Sequence, residues 1–236
     1  MRYYEKILES QKNLKEISRK NNGIYFKAKF GPSKISRIPL KLSEELAFFV
    51  ATIIGDGHLK LNKFQISIEL SNKDLINYIK QICKKLFYRE FNIHSVKLRE
   101  GKKQTYRMLI DSKAIFNLLN QVFEIPSGKK SHIVRIPEDI RKSSKSIKSA
   151  FLIGIMATEG GKRKRGIGLS TASEKLWTEL INLFEELSIP VLKDKWNYIL
   201  ETIKPYNYSL EALLKQAKIN ECNDKEVILE VPYSFH

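Results

Sequence analysis

The sequence predicts a mixed α+β fold of two pseudo-symmetric αββαββα repeats, and three observations carry that expectation. Phe48-Phe49-Val50-Ala51-Thr52-Ile53-Ile54-Gly55-Asp56-Gly57 aligns without a gap on Phe151-Leu152-Ile153-Gly154-Ile155-Met156-Ala157-Thr158-Glu159-Gly160. Farther on, Asn72 to Leu86 matches Ser173 to Leu187, with Leu75, Ile79, Ile82 and Leu86 falling on Leu176, Leu180, Leu183 and Leu187. Similarity recurring at a fixed period marks a duplicated structural unit. Between these segments polar and apolar residues alternate, the period of strands with one wet and one dry face.

Residues 1–42 precede the first repeat and have no counterpart later. Tyr4 to Arg19 carries Ile7, Leu14 and Ile17 at spacings that predict an exposed basic helix, and Ile24 to Phe30 reads as a strand ended by Gly31-Pro32. This extension fits either a side-packed appendage or an added polyanion contact. The first repeat, 43–123, opens at Ser43, followed by Glu44 and Glu45, a helix start with carboxylates near the positive end of the dipole. Its helix is expected to stop at the glycine beside Asp56. In the hairpin that follows, His58, Lys60 and Asn62 alternate with Leu59 and Leu61, then Gln65, Ser67 and Glu69 with Phe64, Ile66, Ile68 and Leu70. Asp74 to Phe87 is helical by its spacing. Lys97 and Arg99 alternate with Val96 and Leu98, Glu100 to Lys103 turns, Gln104 to Ile110 returns, and a helix from Ser112 to Phe123 closes the unit. Residues 124–146, basic and with two prolines, read as a linker crossing the surface. The second repeat with a tail, 147–236, predicts a helix Ile147–Thr158, strands within Lys162–Ser170, a helix Glu174–Leu187, strands Val191–Ile203 and a helix Ser209–Lys218.

Lys and Arg number 42 against 26 Asp and Glu, a formal charge of +16 that points to a polyanion, nucleic acid foremost. No stretch of eighteen apolar residues and no apolar leader is present, so the expectation is an intracellular protein, cytoplasmic or organellar, with no membrane partner. Cys83 and Cys222 lack zinc spacing or a disulfide framework and read as ordinary thiols. The four histidines show no ligand spacing.

Ala51 with Gly55, and Gly154 with Thr158, place small residues four apart on one face of each motif helix. Two such faces can meet closely and bring Asp56 and Glu159 together. At about 6 Å two bare carboxylates repel by roughly 3 kcal/mol at an effective dielectric near 20. A divalent cation removes that repulsion, and hard oxygen donors suit Mg2+ or Mn2+, which share their spheres with phosphate oxygens. Lys162, three residues after Glu159, and Lys73, after Ser71-Asn72, are candidate cations for a scissile phosphate.

On these residues the chain resembles the LAGLIDADG homing endonucleases of the single-chain, two-repeat type, over about residues 43 to 220. The resemblance implies that the motif helices form the interface between halves and that Asp56 and Glu159 hold the catalytic metals, helped by the carbonyls of Gly55 and Thr158. It implies antiparallel sheets facing the DNA major groove and a monomer that cuts both strands of a long recognition site, leaving short 3′ overhangs. Glu159-Gly160-Gly161-Lys162 is similar to the second motif of archaeal intron-encoded members, in which the lysine is catalytic. The chain departs from relatives at the strand ends, with Leu70, Ser71, Asn72 and Lys73 in one half and Thr171, Ala172 and Ser173 in the other. Lacking terminal splicing residues, it reads as intron-encoded or free-standing.

For DNA contact the candidates are Lys60, Lys63, Gln65, Ser67, Glu69, Lys97, Arg99, Lys102, Lys103, Arg107, Arg163, Lys164, Arg165, Lys193 and Lys195, all on expected strands or turns. Gln65, Ser67 and Glu69 could read base edges, or form only the solvent face of a hairpin. The alternative function is a non-cleaving binder on the same scaffold, an intron RNA maturase or a DNA-binding regulator. Retention of both acids favours the enzyme.

Overall fold

A computed structural model describes residues 2–30, 34–96, 104–163, 166–189, 218–222 and 227–230. Contacts divide the chain into one unit at 1–189 and another at 190–236. The described part of the second is an antiparallel pair, β10 (Lys218–Cys222) with β11 (Val227–Glu230). Lys218, expected to end the last helix, instead opens β10.

In the first unit, α1 (Tyr3–Ser10) leads into a sheet of β1 (Leu14–Lys20), β2 (Gly23–Ala28) and β3 (Ser36–Pro39). The exposed helix expected over Tyr4–Arg19 therefore ends at Ser10. Leu14 starts a strand whose pairing runs from Leu14 opposite Ala28 to Lys20 opposite Gly23, a long-range ladder that overrides the helical spacing. The segment is also no surface appendage, since Ile7, Ile24 and Ile38 are fully buried and Phe26 nearly so. Buried Gln11 donates Nε2 to the Ala114 carbonyl at 3.0 Å, and Asn117 Nδ2 returns a bond to the Ser10 carbonyl at 2.9 Å.

The expected αββαββα unit follows as α2 (Glu44–Ile54), β4 (Gly57–Lys60), β5 (Gln65–Leu70), α3 (Lys73–Phe87), β6 (Ile93–Val96), β7 (Thr105–Asp111) and α4 (Lys113–Asn117). Its four strands form an antiparallel sheet in the order β4-β5-β7-β6. Leu59, Ile66, Ile68, Met108 and Ile110 fill the dry face, all fully buried. Leu61 does not join them. A 3-10 turn, Leu61–Lys63, ends β4 at Lys60 and leaves Leu61 57% exposed. After α4 the backbone widens into a π turn, Leu118–Val122, where a single α-helix was expected.

Residues 124–146 do not simply cross the surface, because Ile125, Val134, Ile136 and Ile140 are buried. Short α5 (Glu138–Arg141) lies within them, tied to α1 by the Lys6–Asp139 ion pair at 2.7 Å. Then come α6 (Lys145–Glu159), the hairpin β8 (Gly160–Arg163) with β9 (Gly166–Leu169), and α7 (Glu174–Glu186). The strands expected over Val191–Ile203 and most of the helix after them lie outside the described residues. Among the described residues no helix is long and apolar enough to cross a membrane, and Cys83 is a free, buried thiol.

Candidate active site

Every residue of α2 from Leu46 to Ile54 is buried, so this helix, apolar all round, occupies the centre of the unit. Ser43 caps it, accepting the Leu46 N–H at 3.2 Å. Against it lies α6, whose Phe151, Leu152, Gly154 and Ile155 are buried. Two glycines set how closely they approach. A Cβ on Gly154 would stand 2.6 Å from Ala51 Cβ and 2.7 Å from the Phe48 carbonyl oxygen. One on Gly55 would stand 2.2 Å from Thr158 Oγ1 and 3.4 Å from Glu159 Cγ. The small-residue faces thus meet as the four-residue spacing predicts, and they bring the ends of both helices together.

Asp56 follows Gly55 and Glu159 ends α6, so the contact gathers both acids. Asp56 keeps an open side to solvent, yet partial burial raises its carboxyl above the usual range, and Lys130 opposes the rise. Glu159 is half-buried. Burial raises it first, the Asp56 charge raises it further, and Lys130 again opposes. Lys130 is the residue that sequence reasoning missed. Its ammonium donates to the carbonyls of Ile53 and Gly55, each at 2.7 Å, and to that of Ile54, the last acceptors of α2. A cation there complements the negative end of the helix. Burial lowers its pKa to about 8 against the pull of Glu159 and Asp56. The only visible sequence signal was Lys129-Lys130 after the turn at Gly128.

The loop around Lys130 is anchored on both sides. Gly128 donates its N–H to the Leu59 carbonyl at 3.0 Å. Val134 accepts the Ser173 hydroxyl at 2.6 Å, and the Ile136 N–H reaches Glu179 Oε2 at 2.7 Å. Ser173 in turn caps α7. Beside Glu159 and the end of α2 is a cavity of about 450 Å3 walled by Gly55, Lys130, Ser131, Glu159, Ser170, Thr171 and Ala172. Among the described residues no cluster of three or more His, Cys, Asp or Glu could hold a metal. Two carboxylates with neighbouring carbonyls fit a hard cation that leaves the rest of its sphere to water and phosphate. The Gly55 carbonyl accepts from Lys130 and keeps a second lone pair. The Thr158 hydroxyl donates within its own helix, to Gly154 and Ile155.

Lys73 opens α3 and lies over the Tyr106 ring at 5.8 Å, lining a separate cavity with Lys80 and His94. Lys162 and Arg163 belong to β8. On the wet face of the four-stranded sheet, Gln65 donates to Asp111 at 2.7 Å, and Arg107 binds Glu69 through Nε and Nη2 at 2.9 and 2.6 Å. Thr105 also bonds to Glu69. Ser67 shares the face, while Lys60 and Lys63 are exposed at its edge. Lys97, Arg99, Lys102, Lys103, Lys164, Arg165, Lys193 and Lys195 lie outside the described residues.

No family model matches the chain. It is 30% identical over 139 residues to a replication factor C small subunit of Methanocaldococcus jannaschii, covering 59% of this chain and 7% of that protein. With a DNA polymerase of the same organism it shares 27% over 157 residues, 64% and 9% of the two chains. With a probable translation initiation factor, again of that organism, it shares 25% over 210 residues, 86% and 16%. The chain thus spans less than a sixth of the length of these curated relatives. Among solved structures it is similar to the homing endonuclease I-DmoI in complex with DNA and Mn, with a TM-score of 0.46 at 18% identity over 62% of this chain and 79% of that one. It is also similar to the homing endonuclease I-WcaI bound to its DNA recognition sequence, with a TM-score of 0.43 at 17% identity over 81% and 77%.

Proposed function

We infer that the protein is a site-specific double-strand DNA endonuclease of the homing type, which hydrolyses phosphodiester bonds with divalent metal held between its two motif helices. The observation that carries this reading is the contact of Gly55 with Thr158 and Glu159, which joins one acid from each repeat and sets Lys130 beside both. Segments similar to this chain at 25–30% identity occur within proteins of unrelated names, which supports a module that moves between hosts, as homing requires. The +16 charge supports the polyanionic substrate.

Asp56 and Glu159 would hold Mg2+ or Mn2+, with the Gly55 and Thr158 carbonyls as further donors. Metal so placed supplies water activation and charge neutralisation at the leaving 3′ oxygen. The chain's own part is orientation and electrostatics. Lys130, pinned by three carbonyls, is a fixed positive group at the site and can stabilise charge that develops on the phosphoryl oxygens. We assign this role to Lys130 rather than Lys73, which lines another cavity, and leave Lys162 as the second cation, after Glu159. The wet face of the sheet, with Gln65, Ser67, Glu69 and Arg107, would lie against the groove.

The second reading, a non-cleaving DNA or RNA binder, draws on Thr171, Ala172 and Ser173, where the second repeat offers no cation at its strand end. Incubation with plasmid carrying the DNA that flanks the gene, in Mg2+, separates the two. The enzyme reading expects both strands cut by the wild type, and cutting abolished by chelation or by Asp56→Asn. Tight binding by the wild type with no cutting would leave only the binder.

A further inference from the structure

A cavity of about 430 Å3 opens where the amino-terminal sheet meets the start of β5 and the end of β7. Its wall carries Lys27, Lys34, Lys63, Arg89 and Lys113 against one carboxylate, Asp111. That carboxylate is already engaged by Gln65. Among the described residues none of the four lysines has an ion-pair partner. Lys113 lies over the Phe64 ring at 4.7 Å. Arg89 donates Nη1 to Ser36 Oγ at 2.9 Å and to the Asp111 carbonyl at 3.2 Å, while its Nε is buried without a partner. The Ser36 and Ser112 hydroxyls, 2.8 Å apart, complete a polar wall. Five cations around one hollow, facing a single carboxylate that Gln65 already engages, suit an anion with several acceptor oxygens.

We propose that this cavity seats a backbone phosphate of the nucleic acid, as an anchor separate from the reaction centre. The proposal rests on the DNA-binding part of the function above, though not on cleavage. The position favours a polynucleotide over a free phosphate. Gln65 pairs with Lys60 on one side and with Asp111, which lines the cavity, on the other, so the cavity lies at the end of the sheet away from Asp56. Four residues of strand separate the two sites, roughly 13 Å at about 3.3 Å per residue. A duplex lying along the sheet would therefore present a flanking phosphate here while another occupies the site between the acids. Lys27 and Ser36 come from the amino-terminal sheet and Lys34 from the connection between β2 and β3, which gives that segment a role in clamping substrate.

The test uses the full chain without divalent metal, so that no cutting is needed. Backbone and Arg89 Nε–H resonances are followed by 15N NMR, first with inorganic phosphate and then with a generic duplex, because phosphate contacts do not depend on sequence. Saturable shifts at Arg89, Ser36 and Ser112 with both probes, lost in Lys27→Ala/Lys34→Ala, are expected. In the same variant duplex affinity falls about tenfold and the salt slope loses about two contacts. Shifts with inorganic phosphate alone would overturn the assignment to a polynucleotide, and no shift with either probe would overturn the site. If the duplex shifts these resonances but Mg2+ produces no cutting of any DNA, the nuclease reading falls and this anchor stands.

Discussion

A methyl group on Gly55 would have to displace Thr158, whose Oγ1 stands 2.2 Å from where the new carbon would lie. Gly55→Ala is therefore expected to cost about 1–3 kcal/mol, the usual penalty of overpacking, read from urea unfolding. Thr158→Ala in the same chain removes the hydroxyl and recovers part of that loss, so the double-mutant cycle shows coupling. Strict additivity would mean that the helices do not meet at this point. Lys130→Met strips three carbonyls of their donor and leaves two acids without an opposing charge. Plasmid cleavage is expected to slow about 10²-fold or more, the electrostatic loss expected when a preorganised positive charge is taken from a site. Asp56 and Glu159 both hold their protons more tightly when folded. An acid whose folded pKa is raised costs stability once pH exceeds its unfolded pKa, near 4 for Asp. Metal-free Asp56→Asn should accordingly melt higher than the wild type at neutral pH, and the gain should shrink as pH falls through the carboxylate range. An equal or lower melting temperature at neutral pH would contradict the burial assigned to that carboxyl.

The helices and strands differ in how plainly the sequence announces them. Lys73–Phe87 could be read directly, because its apolar stripe, the Asn72 cap and the closing lysines all act within one segment. The pairing of α2 with α6 was equally open, since small residues four apart state it in residue type alone. Within the helix expected over Tyr4–Arg19, the part from Leu14 onward is a strand instead, because Ile7 and Leu14 stand seven apart, a helical repeat, while the partner of β1 lies on another strand. Lys130 left almost no trace, because its partners are backbone carbonyls, which every residue carries. Burial of Ile7 in the core makes a sharp check on the revised view of the first segment. Ile7→Ala should cost about 2–5 kcal/mol, as for fully buried aliphatic side chains, whereas an exposed helix would lose only tenths.

Across the protein, charge sets the reach of the interaction. An excess of sixteen positive charges acts over about 10 Å at moderate salt and draws polyanions in before any groove is read. If around ten phosphates are neutralised, the logarithm of duplex affinity should fall against the logarithm of salt with a slope near −9. A slope near zero, measured by anisotropy over a salt series, would remove DNA as the partner. The loop from Gly128 to Ile136 bears on how the parts of such a protein could be exchanged between relatives. It fastens to β4 and the end of α2 on one side, and to the cap and first turns of α7 on the other. A chimera that borrows the second repeat of a relative must therefore import a matching strap, or restore Ser173 and Glu179 in the donor half. Grafts cut at the middle of that strap would be expected to assemble with Lys130 out of register against the carbonyls that end α2.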